Sequence, residues 1–166
     1  MIAVIDLFAG AGGFGVGVQK AGADLRLSVE LEPVACVTLK ENAGPSHEVL
    51  EADVTKLTGE DLRSKANLRS REPVIIVGGA PCQPFSKASN WIDAGLDHEW
   101  RKQRAAGNKT VRPPAPKVRP DDRRSLVDHF ARLVTESKAD AFVFENVAAL
   151  MSKRNKPVLD KFISDL

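Results

Sequence analysis

The sequence predicts an α/β protein built on a doubly wound, mostly parallel sheet. Three observations carry that prediction. Short apolar runs alternate with helix-like segments along the 166 residues. The first run breaks into a glycine-rich turn that opens a helix. The residues able to do chemistry cluster where the runs end, at the carboxyl ends of strands, which is where such sheets bind ligands. The length suffices for one domain with its own core.

Each element has a local reason. Ile2 to Phe8 (IAVIDLF) reads as a strand, and Phe14 to Ala21 as the helix that follows its glycines. Leu25 to Leu31 is a second strand, and Pro33 opens a second helix, where a missing N–H costs nothing. Glu48 to Val54 is a third, short strand. Thr58 to Leu68 is helical, with Thr58 as cap and Asp61 three residues on. Val74 to Val77 is too short for a helix, β-branched, and bounded by proline and glycine. Ser125 to Ser137 carries Leu126, Phe130, Leu133 and Val134 on one helical face. Ala141 to Phe144 is the last strand, ending in Glu145-Asn146. Pro157 to Leu166 has helical apolar spacing.

Composition excludes several classes. Lys and Arg number 24 against 22 Asp and Glu, a net charge of +2, so global charge does not mark a nucleic-acid binder. No apolar run approaches the ~20 residues of a membrane span, and MIAVIDLFAG lacks the basic start and cleavage site of a leader. Cys36 and Cys82 form neither a metal spacing nor a disulfide framework, which fits a reducing, cytoplasmic setting. Lys87 to Pro120 stands apart, with eight Lys/Arg against three Asp/Glu and many prolines and glycines. It is expected to be a long, mobile, basic loop able to touch phosphates or simply be solvated. Its Trp91 and Trp100 could stack on bases or anchor the loop.

Two motifs carry most of the chemistry. DLFAGAGGFGVG places Gly10, Gly12 and Gly15 at G-x-G-x-x-G spacing between strand and helix, with Glu30 at the end of the second strand. Glycines let a ligand approach the backbone, and a carboxylate there can bind ribose hydroxyls. This fits a dinucleotide or another nucleoside cofactor. GGAPCQPFS holds Cys82 in a stiff proline turn, an odd place for a core thiol, with no second cysteine nearby for redox work. A nucleophile or a structural thiol remain open, since only a few per cent of an unperturbed thiol ionises near neutrality. Cys36 reads as core. Glu145, at the end of an apolar strand, could have a raised pKa suited to proton donation. Taken alone, a cap or a partner for a basic residue is the simpler reading of it, and Glu30 and Asp53 also read as surface acids.

Taken together, DLFAGAGGFGVG, GGAPCQPFS and FENV, in that order from Ile5 to about Leu150, resemble the cytosine-C5 DNA methyltransferases. The resemblance also covers SVELEP, EADV and DDRRSL. It implies a Rossmann-like sheet of the S-adenosylmethionine-dependent methyltransferase type, incomplete at its C-terminus. Asp6, Phe8, Ala9, Gly10, Gly12, Gly13, Glu30, Leu31, Asp53, Val54 and Pro81 would form the S-adenosylmethionine pocket. Phe8 would lie against the adenine, Glu30 would hold the ribose hydroxyls and Asp53 would meet the adenine amino group. Cys82 would be the nucleophile, and Glu145 would contact and protonate the cytosine ring. Pro81, Gln83, Ser86 and Asn146 would line the substrate side, Asn146 also organising the Cys82 turn. Asp121 and Arg123 would mainly stabilise the fold. Double-stranded DNA is the implied partner, and the nucleoid of a prokaryotic cytoplasm the implied location. No metal and no membrane enter this reading.

The family pattern continues beyond ENV with an arginine-bearing strand motif, a target-recognition domain and a segment that completes the cofactor pocket. Residues 1–166 hold none of these, so the expectation is a partial catalytic domain: a truncated chain, a fragment, or one subunit working with a complementary C-terminal chain. A dinucleotide-dependent oxidoreductase would leave Cys82 and Glu145-Asn146 idle. For a silent methyltransferase-like module that assembles with a partner, the intact Cys82 and Glu145 count against silence, and the missing C-terminal part counts for it. A tRNA-directed enzyme would keep the same core residues and change only the substrate.

Overall fold

The computed structural model describes residues 1–85, 95–111 and 121–166. Its centre is a five-stranded sheet: β1 (Ala3–Leu7), β2 (Asp24–Glu30), β3 (Glu48–Glu51), β4 (Val74–Gly78) and β5 (Ala141–Phe144), in the order β3-β2-β1-β4-β5. Every pairing is parallel. The chain winds from β1 to β2 and β3, then returns to the other side of β1 with β4. The reversal leaves a crevice between the carboxyl ends of β1 and β4, the usual binding position on such sheets.

Among the described residues six helices alternate with the strands: α1 (Gly13–Lys20), α2 (Pro33–Asn42), α3 (Gly59–Lys65), α4 (Gly95–Ala105), α5 (Leu126–Glu136) and α6 (Lys156–Ser164). Alternation along β1 sends Val4 to one face and Ile5 to the other. Val4, Leu25 and Val77 pack under Phe14 and Val18 of α1. Ile5, Leu7, Leu27 and Ile76 join the larger core, covered by Leu62, Phe130, Leu133 and Phe162 from α3, α5 and α6. Helices therefore cover both faces, as the alternating pattern predicts. α3 begins with a complete capping box, Thr58 and Asp61 bonding each other's backbone N–H. Cys36 is fully buried.

The segment 87–120 departs from expectation. Instead of being irregular throughout, it contains α4. Its large apolar residues, Leu96 and Trp100, are too few to make an apolar stripe. Glu99 and Arg101 to Ala105 are nonetheless strong helix formers. Gly107, at φ +86°, ends the helix: its N–H bonds Arg104 O and that of Asn108 bonds Gln103 O, a Schellman closure. The Trp100 indole N–H donates to Thr110 O at 3.2 Å, which anchors α4 to the chain after it. Trp91 and Ser86 lie outside the described residues. The third strand is also shorter than predicted, because Asp53 caps a single 3-10 turn at Val54–Lys56.

Candidate active site

The site grows from two turns at the carboxyl ends of β1 and β4. After β1 the backbone is left-handed at Phe8 (φ 58°), Gly10 (φ 55°) and Gly12 (φ 95°). For Phe8 this conformation costs about 1–2 kcal/mol, and such strain gathers at binding turns. Ala9 N–H bonds Val29 O, and Gly12 N–H bonds Ala9 O, folding the turn over the end of β2. Gly15 is closely packed: a Cβ there would lie 2.7 Å from the Leu25 Cδ2 methyl, which would have to shift. A Cβ at Gly10 or Gly13 would meet nothing, so the turn's outer side is open.

Glu30 locks this turn. Its Oε2 accepts from Gly10 N–H at 2.7 Å, and its Oε1 accepts from the N–H groups of Leu31 and Glu32, both at 2.8 Å. The family resemblance implies a ribose contact for Glu30; the structure adds that it binds the glycine turn to the end of β2. Leu31 is exposed beside it. Asp53 accepts from Thr55 N–H at 2.9 Å, and that bond holds its carboxyl below the usual range. Val54, next to it, is buried.

Asp6 is the unusual group. It is 1 % exposed, and neither carboxylate oxygen has a hydrogen-bond partner of normal geometry. It lies beneath the start of α1, its Oδ2 3.5 Å from where a Gly15 Cβ would stand. Burial pushes its carboxyl up to about 7; the Gly15 amide offsets part of that, and the Glu30 charge adds to it.

The second turn follows β4. Cys82 is partly exposed and free, and its carbonyl accepts from Phe85 N–H at 2.9 Å. Pro81 is partly exposed and Gln83 exposed. The β5 turn is tied to this one at three points. Glu145 N–H donates to Gly78 O at 3.0 Å, and Asn146 Nδ2 donates to Ala80 O at 3.0 Å. Gly79 is the third point: a Cβ there would stand 2.9 Å from Glu145 Oε2. Glycine at 79 thus lets the Glu145 carboxylate lie against the backbone three residues before Cys82. Asn146 also turns its own chain, its Oδ1 accepting from Val147 N–H.

One important residue does not stand out in the sequence. The DDRRSL motif points to Arg123, but Arg123 only forks onto Asp121, at 2.9 and 2.8 Å, on the surface. Its neighbour Arg124 reaches the Cys82 turn. Its guanidinium donates to Pro84 O at 3.0 Å and to Asn155 Oδ1 at 2.9 Å, and it lies over the Phe85 ring, 4.8 Å from the centroid. Asn155, itself buried, passes the restraint on to Ala149 O. Nothing in the doublet Arg123-Arg124 tells which side chain turns inward.

Comparison with known proteins decides the family. A family model described as C-5 cytosine-specific DNA methylase matches residues 2–166. The chain belongs to the C-5 cytosine-specific DNA methylases. It is 35% identical over 159 residues to the type II methyltransferase M.XorII of Xanthomonas oryzae pv. oryzae, covering 96% of this chain and 31% of that protein. It is 30% identical over 162 residues to the type II methyltransferase M.AquIA of Picosynechococcus, covering 98% and 55% respectively. Among solved structures it superposes on a protein described as a DNA modification methyltransferase encoded within an E. coli prophage. That match has a TM-score of 0.70 and 26% identity, covering 100% of this chain and 38% of that one. Spodoptera frugiperda DNMT2, at 17% identity and a TM-score of 0.56, shares the fold. The chain thus spans between about a third and just over half the length of these curated relatives. The methylase family match displaces the dinucleotide-oxidoreductase reading. Among the described residues, no helix is long and apolar enough to cross a membrane.

Proposed function

We propose that this chain carries the cofactor pocket and nucleophile for transferring a methyl group from S-adenosylmethionine to C5 of cytosine in double-stranded DNA. The observation that carries the reading is the tie between the two turns: Glu145 held against Gly79, and Asn146 against Ala80, beside Cys82. A free thiol and a carboxylate delivered from adjacent parallel strands are what addition to a pyrimidine ring needs.

The residues of the first turn fit the cofactor. The open backbone at Gly10 and Gly13, the buried unpartnered Asp6, and the carboxylates Glu30 and Asp53 at successive strand ends suit a cationic nucleoside. Phe8, Ala9, Gly12, Leu31, Val54 and Pro81 complete that lining. When bound, S-adenosylmethionine supplies an electrophilic methyl group. Cys82, as thiolate, adds to C6 of the cytosine while Glu145 donates a proton to N3. C5 thereby becomes nucleophilic enough to take the methyl group. Transfer of the methyl leaves the thioether, S-adenosylhomocysteine; loss of the C5 proton to a water base, departure of Cys82 as thiolate and return of the N3 proton to Glu145 restore the ring. The base must leave the duplex stack to meet Cys82, with Pro81, Gln83 and Asn146 beside it.

The curated relatives extend well beyond the matched length, and a complementary C-terminal methyltransferase part would supply DNA recognition. The corresponding setting is a prokaryotic cytoplasm, at the nucleoid. Calorimetry tests the cofactor half: S-adenosylmethionine should bind the chain and NAD should not, and the reverse result refutes the reading. Glu145→Gln should slow methyl transfer in the assembled enzyme far more than it weakens S-adenosylmethionine binding. Equal losses would assign Glu145 a structural role.

A further inference from the structure

The adenine end of the proposed cofactor pocket stands on an irregular stretch. β3 is a four-residue edge strand, paired with β2. After it the chain makes a single 3-10 turn at Val54–Lys56 and an extended link, Leu57 and Thr58, into α3. Local bonds shape this stretch. Ala52 N–H donates to Glu30 O at 2.9 Å and Lys56 N–H to Asp53 O at 3.0 Å, while Asp53 Oδ1 accepts from Thr55 N–H. These bonds join the turn to β2, but none holds it against the helices. That hold comes from α5. Arg132 and Glu136 lie one helical turn apart, and Arg132 Nη1 donates to both Glu136 oxygens, at 3.0 and 2.9 Å. Each member then reaches across to main chain. Arg132 Nη2 donates to Val54 O at 3.2 Å, and Glu136 Oε2 accepts from Gly59 N–H at 2.9 Å. Arginine can only donate, so His129 Nδ1 accepts from Arg132, 3.4 Å from Nε and 3.3 Å from Nη2, and steadies it. Arg132 chiefly holds the Glu136 carboxyl below its ordinary range; partial burial opposes this and the Gly59 N–H adds to it. An exposed ion pair of this spacing contributes little by itself. This one grips both ends of the segment 54–59, and Asp53 stands at the start of that segment.

We propose that Arg132 and Glu136 are positioning residues for adenine recognition: they fix where Asp53 stands and so set the chain's preference for adenine over other purines. The inference rests on the cofactor reading above, in which Asp53 accepts from the adenine amino group. An N–H···O bond tolerates roughly half an ångström of length. Apolar contact, such as Val54 offers, is non-directional and survives small shifts. A loosened turn therefore loses the amino-group contact before it loses general affinity. The grip is close at its far end as well: a Cβ at Gly59 would stand 2.3 Å from the Glu136 backbone, so α3 and α5 have no slack between them. The bonds from Arg132 to Val54 and from Gly59 to Glu136 span 78 and 77 positions, so a helix far along the chain sets the turn after β3.

The test is calorimetry of the chain with S-adenosylhomocysteine and with S-inosylhomocysteine, in which a carbonyl replaces the purine amino group. The parent should prefer the adenine compound at least about tenfold. Arg132→Gln should weaken S-adenosylhomocysteine binding at least about tenfold and S-inosylhomocysteine binding less than about threefold, so that the preference collapses. Hydrogen exchange at the Thr55 and Lys56 amides should quicken at least about tenfold in the variant while β1 and β4 stay unchanged. Arg132→Lys keeps the charge and stem but not the fork, and should show the same pattern to a smaller degree; it carries the test if the glutamine variant does not fold. Equal weakening of both ligands, or unaltered exchange at Thr55, overturns the proposal. A parent that binds neither ligand, or binds them equally, refutes the cofactor reading and with it the role of the pair. A parent preference that survives both substitutions refutes the role of the pair alone.

Discussion

Replacing Asp6 by asparagine isolates the most perturbed carboxyl among the described residues. It is raised from 3.8 to about 7, chiefly because burial strips it of water, with the Gly15 amide offsetting part and the Glu30 charge adding to it. The folded state therefore holds this proton more tightly than the unfolded chain does. Its contribution is fully favourable below about pH 4 and is lost as pH rises toward and through 7. At about 1.4 kcal/mol per tenfold change in proton affinity, the ionised group costs about 4 kcal/mol of folding free energy, more than half of which develops between about pH 5 and about pH 8. Asparagine keeps the shape and cannot ionise. Its amide adds a pH-independent offset, so the useful quantity is the change in the difference between variant and parent. Urea unfolding followed by far-ultraviolet circular dichroism suits the purpose, since it reports on the secondary structure as a whole, the sheet that carries Asp6 included. The Asp6→Asn chain should gain about 2–3 kcal/mol relative to the parent across that range. Other groups, including the partly buried His47, titrate in both proteins and cancel. Parallel pH profiles would refute the assignment of a buried, proton-holding carboxyl.

Other substitutions probe the ties around Cys82. Gly79→Ala puts a Cβ 2.9 Å from the movable Glu145 carboxylate, so stability should change by less than about 1 kcal/mol, while methyl transfer falls at least about tenfold. Parallel assays of unfolding and S-adenosylmethionine binding check it, and unchanged transfer would contradict it. Arg124→Ala removes the bonds to Pro84 and Asn155 and should cost about 1–3 kcal/mol. Arg123→Ala should leave the thermal midpoint unchanged; equal effects would erase the distinction. Gly59→Ala brings a Cβ within 2.3 Å of the Glu136 backbone and should lower stability by about 1–3 kcal/mol through a shift of α3 against α5, read from urea midpoints.

The sheet was legible because local patterns dictate it. The apolar runs at Ala3–Leu7, Val74–Gly78 and Ala141–Phe144 are too short and too β-branched or aromatic for helices, and each ends in residues able to do chemistry. The Thr58 capping box is likewise a contact across three residues. What escaped the sequence was either non-local or patternless. Arg124 meets Pro84 across 40 positions, a pairing that leaves no trace in spacing. The bond of Asn146 to Ala80 across 66 positions leaves none either, and a role for Asn146 at the Cys82 turn came only from the family resemblance. α4 was hidden because its large apolar residues are too few to make a stripe. Asp6 could be named as a pocket residue from its place before the glycine turn, but its burial without a partner depends on how α1 crosses β1.

The account turns on Cys82 as the nucleophile, and covalent trapping tests it most directly. The assembled enzyme would be given S-adenosylmethionine and duplex DNA with 5-fluorocytosine, whose fluorine blocks release of the thiol. The account predicts a stable protein–DNA adduct that disappears in Cys82→Ala, and an adduct that persists in that variant would contradict it.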